Sequence, residues 1–458
     1  QGPSPRYCNA PTRNAGGPDR RKEARMSAAA AGKSRRGRRR ASASRRGASP
    51  SSRPGSGIGL ALAGGGPLGG IYEVGALIAL ADSLDGIDFN RLDVYVGVSS
   101  GGFVVASLAN GISPSQMYRL FIDDGADAAM TPQLFLRPAF GEFYRRLVAL
   151  PGLALRAILR YLRDPLHAGL MESLVTLSRA IPVGMFDNAV VDNFLSRLLS
   201  GPGRSNDFRR LERKLFLVAA NLDTGASVVF GAPGHEHVPI SKAISASSAL
   251  PGLFPPVEID GEHYVDGALN KTLHASVALD QGIDLLLCLN PLVPYDASSV
   301  PRRARLTVEK LNEGGLPLVL SQTFRAIIHS RMRVGMEKYR QQYPHANVVL
   351  FEPDREDAQM FFANIFSYRQ RKRLCAQAYN KTRRNLQARA AELAPVFARH
   401  GIAFRLDRLH DTHRHITDAV SDPRPLHADS AVSPTVTQTA RDLGRTLDAL
   451  ERWLVRAA

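Results

Sequence analysis

The chain has 458 residues, 44% of them hydrophobic, with a formal net charge of +17 and three cysteines. It is long enough to bury a large core and has room for about two or three domains, whereas Cys8, Cys288 and Cys375 are too few and too scattered for a disulfide framework or a zinc site. Residues 1–56 hold 15 Lys and Arg against two acids and residues 57–458 hold 44 against 40, so the basic excess belongs to a tail rather than to a nucleic-acid-binding body.

Residues 1–56 are Arg, Ser, Gly, Ala and Pro with almost no large apolar side chain. Such a segment cannot bury enough surface to offset its ordering entropy, so it is expected to be a disordered basic tail. Met26 lies inside it and is a candidate start, with residues 1–25 an upstream extension. The runs Arg35-Arg36-Gly37-Arg38-Arg39-Arg40 and Arg45-Arg46 suit a solvated tail, or attraction to anionic lipid or nucleic acid. Ala28–Ala31 is too short for the apolar region of a secretion signal. Ile58–Gly66 follows arginines as a twin-arginine signal would, but reads better as a core strand running into a catalytic loop. No stretch approaches the roughly 18–20 uncharged apolar residues of a spanning helix. The protein is expected to be cytoplasmic or peripheral to a membrane.

From Gly57 the texture changes. Ile58-Gly59-Leu60-Ala61-Leu62-Ala63 is a short apolar run ending in glycines, the pattern of a buried parallel strand. Tyr72–Leu84 carries apolar residues at helical spacing, Asp93–Gly97 reads as a second buried strand, and Gly102–Asn110 as a helix stopped by Gly111. This strand–helix–strand–helix unit points to a doubly wound α/β sheet. Residues 112–200 read as a mostly helical cap with breaks at Pro138, Pro151 and Pro165. Strands are expected at Leu215–Ala220, Ser227–Phe230, Asp284–Leu289 and Asn347–Phe351, with a hairpin over Val257–Val265 and a helix near 239–249. Residues 354–458 read as largely helical, interrupted by a polar loop at 421–433. The resulting division is a tail (1–56), a core (57–300) and a helical C-terminal region (301–458) that completes or covers it.

Two glycine turns carry the chemistry. Gly97-Val98-Ser99-Ser100-Gly101 is G-x-S-x-G between a strand and a helix, where glycines at −2 and +2 let the backbone fold sharply and present Ser99. The following helix aims its N-terminal amides at the same spot. Gly64-Gly65-Gly66-Pro67-Leu68-Gly69-Gly70 also fits the dinucleotide pattern G-x-G-x-x-G, but the acid that pattern wants is misplaced: Asp85 and Asp88 precede the second strand instead of ending it. It reads better as an oxyanion hole. Pro67 has no N–H, so the donors are expected from Gly65, Gly66 or Leu68. The base is sought in Asp266-Gly267-Ala268 after Tyr264-Val265. An ordinary aspartate is too weak a base for a hydroxyl unless it is desolvated and hydrogen-bonded to the nucleophile.

Together with the block Ala243–Pro256, these motifs resemble the patatin-like phospholipase family in order and spacing over about residues 57–290. The resemblance implies a three-layer α/β/α fold with a mainly parallel sheet, a helical cap insertion and a helical C-terminal extension. It also implies a serine acyl hydrolase with no cofactor, no metal and no catalytic histidine, acting on phospholipid or another acyl-ester lipid. Ser99 would be nucleophile and Asp266 base, with Gly64, Gly65 and Gly66 framing the oxyanion hole and Gly69, Gly97, Gly101 and Gly267 as motif glycines. The sequence departs from the family at Leu68, where Arg or Lys is common; that removes a charged headgroup contact and leaves the backbone donors. Three competing readings stand beside it. One is a Ser-Asp-His α/β-hydrolase drawing on His274, His329, His345 or His400, another an idle lipid-binding protein of the same fold. The third is a nucleic-acid-associated protein resting on the tail alone.

Three stretches suit lipid contact. Residues 143–163 mix Leu, Ile, Phe and Tyr with five arginines and are expected to form two basic amphipathic helices broken at Pro151-Gly152, either an interfacial lid or a cap packed on the core. Residues 368–389 carry eight bases and no acid, suiting an anionic headgroup surface or a solvated helix face. Leu443, Leu447, Leu450 and Leu454 suit a C-terminal docking helix. Peripheral association with an anionic membrane is therefore expected, and nucleic acid is not.

Overall fold

The computed structural model describes residues 57–123, 137–163, 183–296, 315–357 and 370–421. The expected basic tail, the polar loop beyond Ser421 and the leucine-spaced segment at 443–454 lie outside the described residues. All described residues fall in one compact unit, Arg53–Ala458.

Strand β1 (Ile58–Leu62) is followed by helix α1 (Gly66–Ser83), the short strand β2 (Leu84–Asp85), β3 (Val94–Gly97) and helix α2 (Ser100–Ala109). Strands β1 and β3 are parallel neighbours, Leu62 standing beside Gly97. Helix α2 ends at Asn110, followed by Gly111 in the left-handed region (φ 79°), the position a helix end reserves for glycine. Helix α3 (Pro114–Met117) opens on a capping box between Ser113 and Gln116. Helices α4 (Phe140–Arg163) and α5 (Asn188–Leu199) follow. After them come β4 (Lys214–Asn221), β5 (Ser227–Phe230), α6 (Ile240–Ser247), β6 (Val257–Ile259) and β7 (Glu262–Asp266). Asp260 and Gly261, both at positive φ, make the tight turn of the β6–β7 hairpin. Then come α7 (Ala275–Leu279), β8 (Leu285–Leu289), α8 (Gly315–Gln342) and β9 (Asn347–Phe351). The chain continues through α9 (Arg371–Ala388), α10 (Ala390–Ala398), β10 (Ala403–Phe404), α11 (Leu406–His410) and α12 (Ile416–Ser421).

The main sheet runs β6-β7-β4-β3-β1-β8-β9, with β5 also on β4. Its centre is parallel and its β5, β6 and β7 pairings are antiparallel. Side chains alternate between two apolar layers, as the period of two requires. Leu60, Leu62, Tyr95, Leu285, Leu287 and Leu289 pack with α1, α2 and α9. Ala61, Ala63, Val94, Val96, Leu286 and Cys288 pack on the other face with α7 and α8. The architecture is thus three-layer α/β/α with a mainly parallel sheet. No helix among the described residues is long and apolar enough to cross a membrane.

Three readings need correction. Helix α1 begins at Gly66, not near Tyr72, so the later glycines form its first turns. Proline fits there because its missing N–H is one of the orphans of a helix start, and the glycines are held by close neighbours: a Cβ on Gly69 would stand 3.0 Å from Pro291 and 3.1 Å from the Ser100 hydroxyl. Helix α4 runs unbroken through Pro151. Pro151, its neighbours Leu150 and Gly152, and Leu147 one turn back are exposed, so the carbonyl that loses its N–H partner to proline stands open to solvent. The basic run on α9 is only in part a solvated face: Arg373 and Arg384 are exposed, whereas other bases of the run are turned inward. Arg371 and Arg383 are buried and donate to backbone carbonyls, Arg371 to that of Asp123 and Arg383 to those of Arg408, Leu409, Asp411 and Arg414. Lys372 pairs with Asp123 and Lys381 with Asp354 and Asp357.

Candidate active site

The parallel strands end together at the carboxyl edge of the sheet, and the turns leaving β1 and β3 meet there. Ser99 sits between β3 and α2 at φ 52° and ψ −125°, a conformation that costs a non-glycine residue about 1–3 kcal/mol. The surroundings enforce it. A Cβ on Gly97 would run into Val105, and one on Gly101 would lie 2.6 Å from the Ala63 carbonyl oxygen, so the elbow is sterically closed to side chains on both sides of the serine. The Ser99 amide donates to Ser247 Oγ at 2.8 Å, and the Ser247 hydroxyl donates to the Val218 carbonyl at 2.6 Å. Ser247, at the end of α6, therefore ties the elbow to β4. This support lies 148 residues away in sequence and no local spacing announces it.

Strand β7 runs antiparallel along the far half of β4, with Asp266 opposite Ala219, while Gly97 at the end of β3 stands opposite Leu217 on the other edge of β4. The end of β7 is thereby carried to the end of β3. Gly267 closes the approach: a Cβ there would strike the Val218 carbonyl and stand 3.2 Å from Val98 Cγ1. The Asp266 amide donates to the Ala249 carbonyl at 3.0 Å, so the stretch that anchors Ser99 through Ser247 also anchors the acid. Ser99 and Asp266 are 5% and 4% exposed. Burial pushes the Asp266 carboxyl up to about 6, and the Ala268 amide, then the Ser99 hydroxyl, draw it only partway back. The Ala268 N–H donates to Asp266 Oδ1 at 2.9 Å.

The glycine turn lies on the same spot. A Cβ on Gly64 would be 2.9 Å from Ser99 Cβ and 3.3 Å from Ala268 Cβ, which places Gly64 against both the serine and the turn after the acid. Gly65 is the N-cap of α1 and packs on Pro291, which follows β8. Gly69 donates its amide back to the Gly65 carbonyl at 3.0 Å. Among the described residues, the amides of Gly65, Gly66 and Leu68 find no acceptor, and Pro67 contributes none. The Leu68 side chain is buried in the apolar core, so the position where the resemblance expects a cation presents only its backbone.

The histidines lie apart from the serine. His274 is buried, sits in the left-handed region and places Nε2 3.4 Å from the Gly267 carbonyl; burial holds it down at about 4. His329 contacts Arg355 and Glu352, His345 is exposed, and His400 lies beyond the α10 helix. Among the described residues none reaches Ser99.

Residues 60–279 match the family model described as patatin-like phospholipase. Three solved structures align with the chain. VipD from Legionella pneumophila is 16% identical over 70% of this chain and 67% of its own, with a TM-score of 0.31. The type III effector protein ExoU is 16% identical over 73% of this chain and 53% of its own (TM-score 0.29). Full-length ExoU of Pseudomonas aeruginosa, solved with full-length SpcU, is 20% identical over 63% of this chain and 53% of its own (TM-score 0.24). The chain thus spans about half the length of the ExoU chains it matches.

Proposed function

We propose, from the premise that residues 60–279 of this chain belong to the patatin-like phospholipase family, that the protein is a lipid acyl-ester hydrolase working through a Ser99–Asp266 dyad. The observation that carries the reading is the meeting of a serine at positive φ with a buried carboxyl whose pKa is pushed up to about 6. A carboxylate so desolvated is a stronger base than an ordinary aspartate, close to the pH at which it has to work.

Asp266 takes the Ser99 proton as Oγ attacks the ester carbonyl. The oxyanion that forms is held by the unpaired amides at the start of α1, from Gly65, Gly66 and Leu68, assisted by the positive end of the helix dipole. Collapse breaks the ester bond, Asp266 returns the proton to the departing alcohol, and the acyl group stays on Ser99 Oγ. Water then gives a proton to Asp266 and attacks the acyl-enzyme. The fatty acid leaves, Ser99 recovers its proton, and no redox partner enters. Gly64 keeps the wall beside Ser99 flat enough for the substrate carbonyl to reach the amides.

The test compares parent, Ser99→Ala and Asp266→Asn on a soluble chromogenic ester and on phospholipid vesicles, with and without a chelator. Both variants are expected to remain folded and to lose at least about a thousandfold in kcat, with the parent indifferent to chelation. An Asp266→Asn protein that keeps its rate while His274→Asn loses it would replace the dyad with a triad. A parent inactive on both substrates and on a wider set of acyl esters would leave a lipid-binding protein without catalysis.

A further inference from the structure

Helix α4 is 24 residues long, about 36 Å, and exposes a row of large apolar side chains. Phe140, Tyr144, Leu147, Leu155, Ile158 and Leu159 are 55–74% exposed. Their spacing confines them to about a third of the helix circumference, and Arg146 and Arg156 fall outside that stripe. Helix α8 repeats the pattern: Leu320, Phe324, Ile327 and Val334 are 44–70% exposed. An apolar surface of this extent is not left to water without a partner.

Charge selects the partner. Helices α4 and α8 each contain five bases and a single acid, Glu142 and Glu337, and without them residues 57–458 hold 34 bases against 38 acids. Each of the two helices that expose apolar stripes thus carries four more bases than acids. A nucleic acid matches the charge but not the stripes. An anionic bilayer offers both: acyl chains for the apolar face and headgroups for the arginines beside it.

Both helices are rooted at the candidate site. Arg331 on α8 donates to the Leu269 carbonyl at 3.1 Å, and Thr272 Oγ1 donates to the Ile328 carbonyl at 3.2 Å, which seats α8 on the turn after Asp266. At the base of α4, the Ala139 amide donates to the Met185 carbonyl, and the Met185 and Phe186 amides donate to the Leu253 carbonyl, at 3.0, 2.9 and 2.8 Å. Leu253 follows closely on Ala249, the acceptor of the Asp266 amide.

We propose that α4, with the exposed stripe of α8, is the surface by which the protein docks on an anionic lipid bilayer. This goes beyond the catalytic reading and stands without it, because docking needs neither Ser99 nor Asp266. The test therefore uses the full chain carrying Ser99→Ala, sedimented with vesicles of phosphatidylcholine alone and of equimolar phosphatidylcholine and phosphatidylglycerol. The protein is expected to partition at least about tenfold better onto the anionic vesicles and to be released by high salt. Leu147→Glu with Ile158→Glu is expected to weaken that binding at least about tenfold, with the melting temperature unchanged because both sites are exposed.

Three results would overturn the proposal: no binding to either vesicle, equal binding to both, or anionic binding indifferent to the two substitutions (which assigns it to the basic tail). A dimer in light scattering that Leu147→Glu dissolves would give the stripe to a second copy of the chain. Failure of docking leaves hydrolysis of a soluble ester intact, and failure of catalysis leaves docking intact, so the two readings fall separately.

Discussion

Asp266 is held against its own preference. An aspartate in water titrates near 3.9, and burial at the end of β7 raises it to about 6, so keeping it ionised at neutral pH costs about 3 kcal/mol. If it is the base, kcat/KM must follow its ionisation in the free enzyme. Activity on a soluble ester is expected to be level above about pH 6 and to fall about tenfold for each further unit of acid. Asp266→Asn should leave a residual rate without that limb. A limb nearer 4, or one that survives in Asp266→Asn, would mean that the carboxyl titrating in solution is another group. Ser99 carries the complementary strain, held at positive φ by the tie through Ser247.

At the scale of elements, α1 and α9 meet with almost no space between them. A Cβ on Gly75 would meet the Cys375 carbonyl and stand 2.9 Å from Ala378 Cβ. Gly75→Ala gains about 1 kcal/mol in helix propensity but overpacks a backbone carbonyl that cannot rotate away, a cost of about 1–3 kcal/mol. The melting temperature is therefore expected to fall, and a rise would show that α9 shifts freely on α1. The contrast marks what the sequence could disclose. Buried parallel strands such as Ile58–Leu62 and Leu285–Leu289 are short continuous apolar runs, and they could be read directly. The two glycine turns around Ser99 were legible because only glycine fits where backbone meets backbone. The start of α1 was hidden because Gly and Pro argue against a helix until Pro291 and Ser100 pack on it. The buried Arg371 and Arg383 of α9 looked like part of a charged face because their acceptors, such as the Asp123 carbonyl for Arg371, lie up to 248 residues away. Ser247 was hidden for the same reason.

The whole molecule sums these local displacements into its response to pH, and two groups beside the site act in opposite senses. Asp266 has a folded pKa of about 6, above its unfolded value near 3.9, so the folded state binds the extra proton first and stability rises as pH falls from about 6 to 4. Burial holds His274 at about 4, below its unfolded value near 6.5. The unfolded chain then takes the proton first, and stability falls over the same interval. Each displacement is worth about 3 kcal/mol, so the two nearly cancel. Glu73 and Glu352, raised by burial, add to the first sense; His329 and His400, lowered by burial, add to the second. Asp82 acts lower down. Burial pushes its carboxyl up, but hydrogen bonds from Arg414 and Tyr379 and the charges of Arg414 and Arg408 hold it below the ordinary range. Its stabilisation is present above its unfolded value and is lost as pH falls through the depressed one. Melting temperatures from pH 7 to pH 4 separate these contributions. Relative to the parent, Asp266→Asn is expected to be more stable at pH 7, with the gain shrinking to nothing by about pH 4. His274→Asn should move the other way, gaining on the parent as acid is added whatever its constant offset. If both variants keep the parent's slope, neither group is buried in solution as it is here, and the raised basicity assigned to Asp266 goes with it.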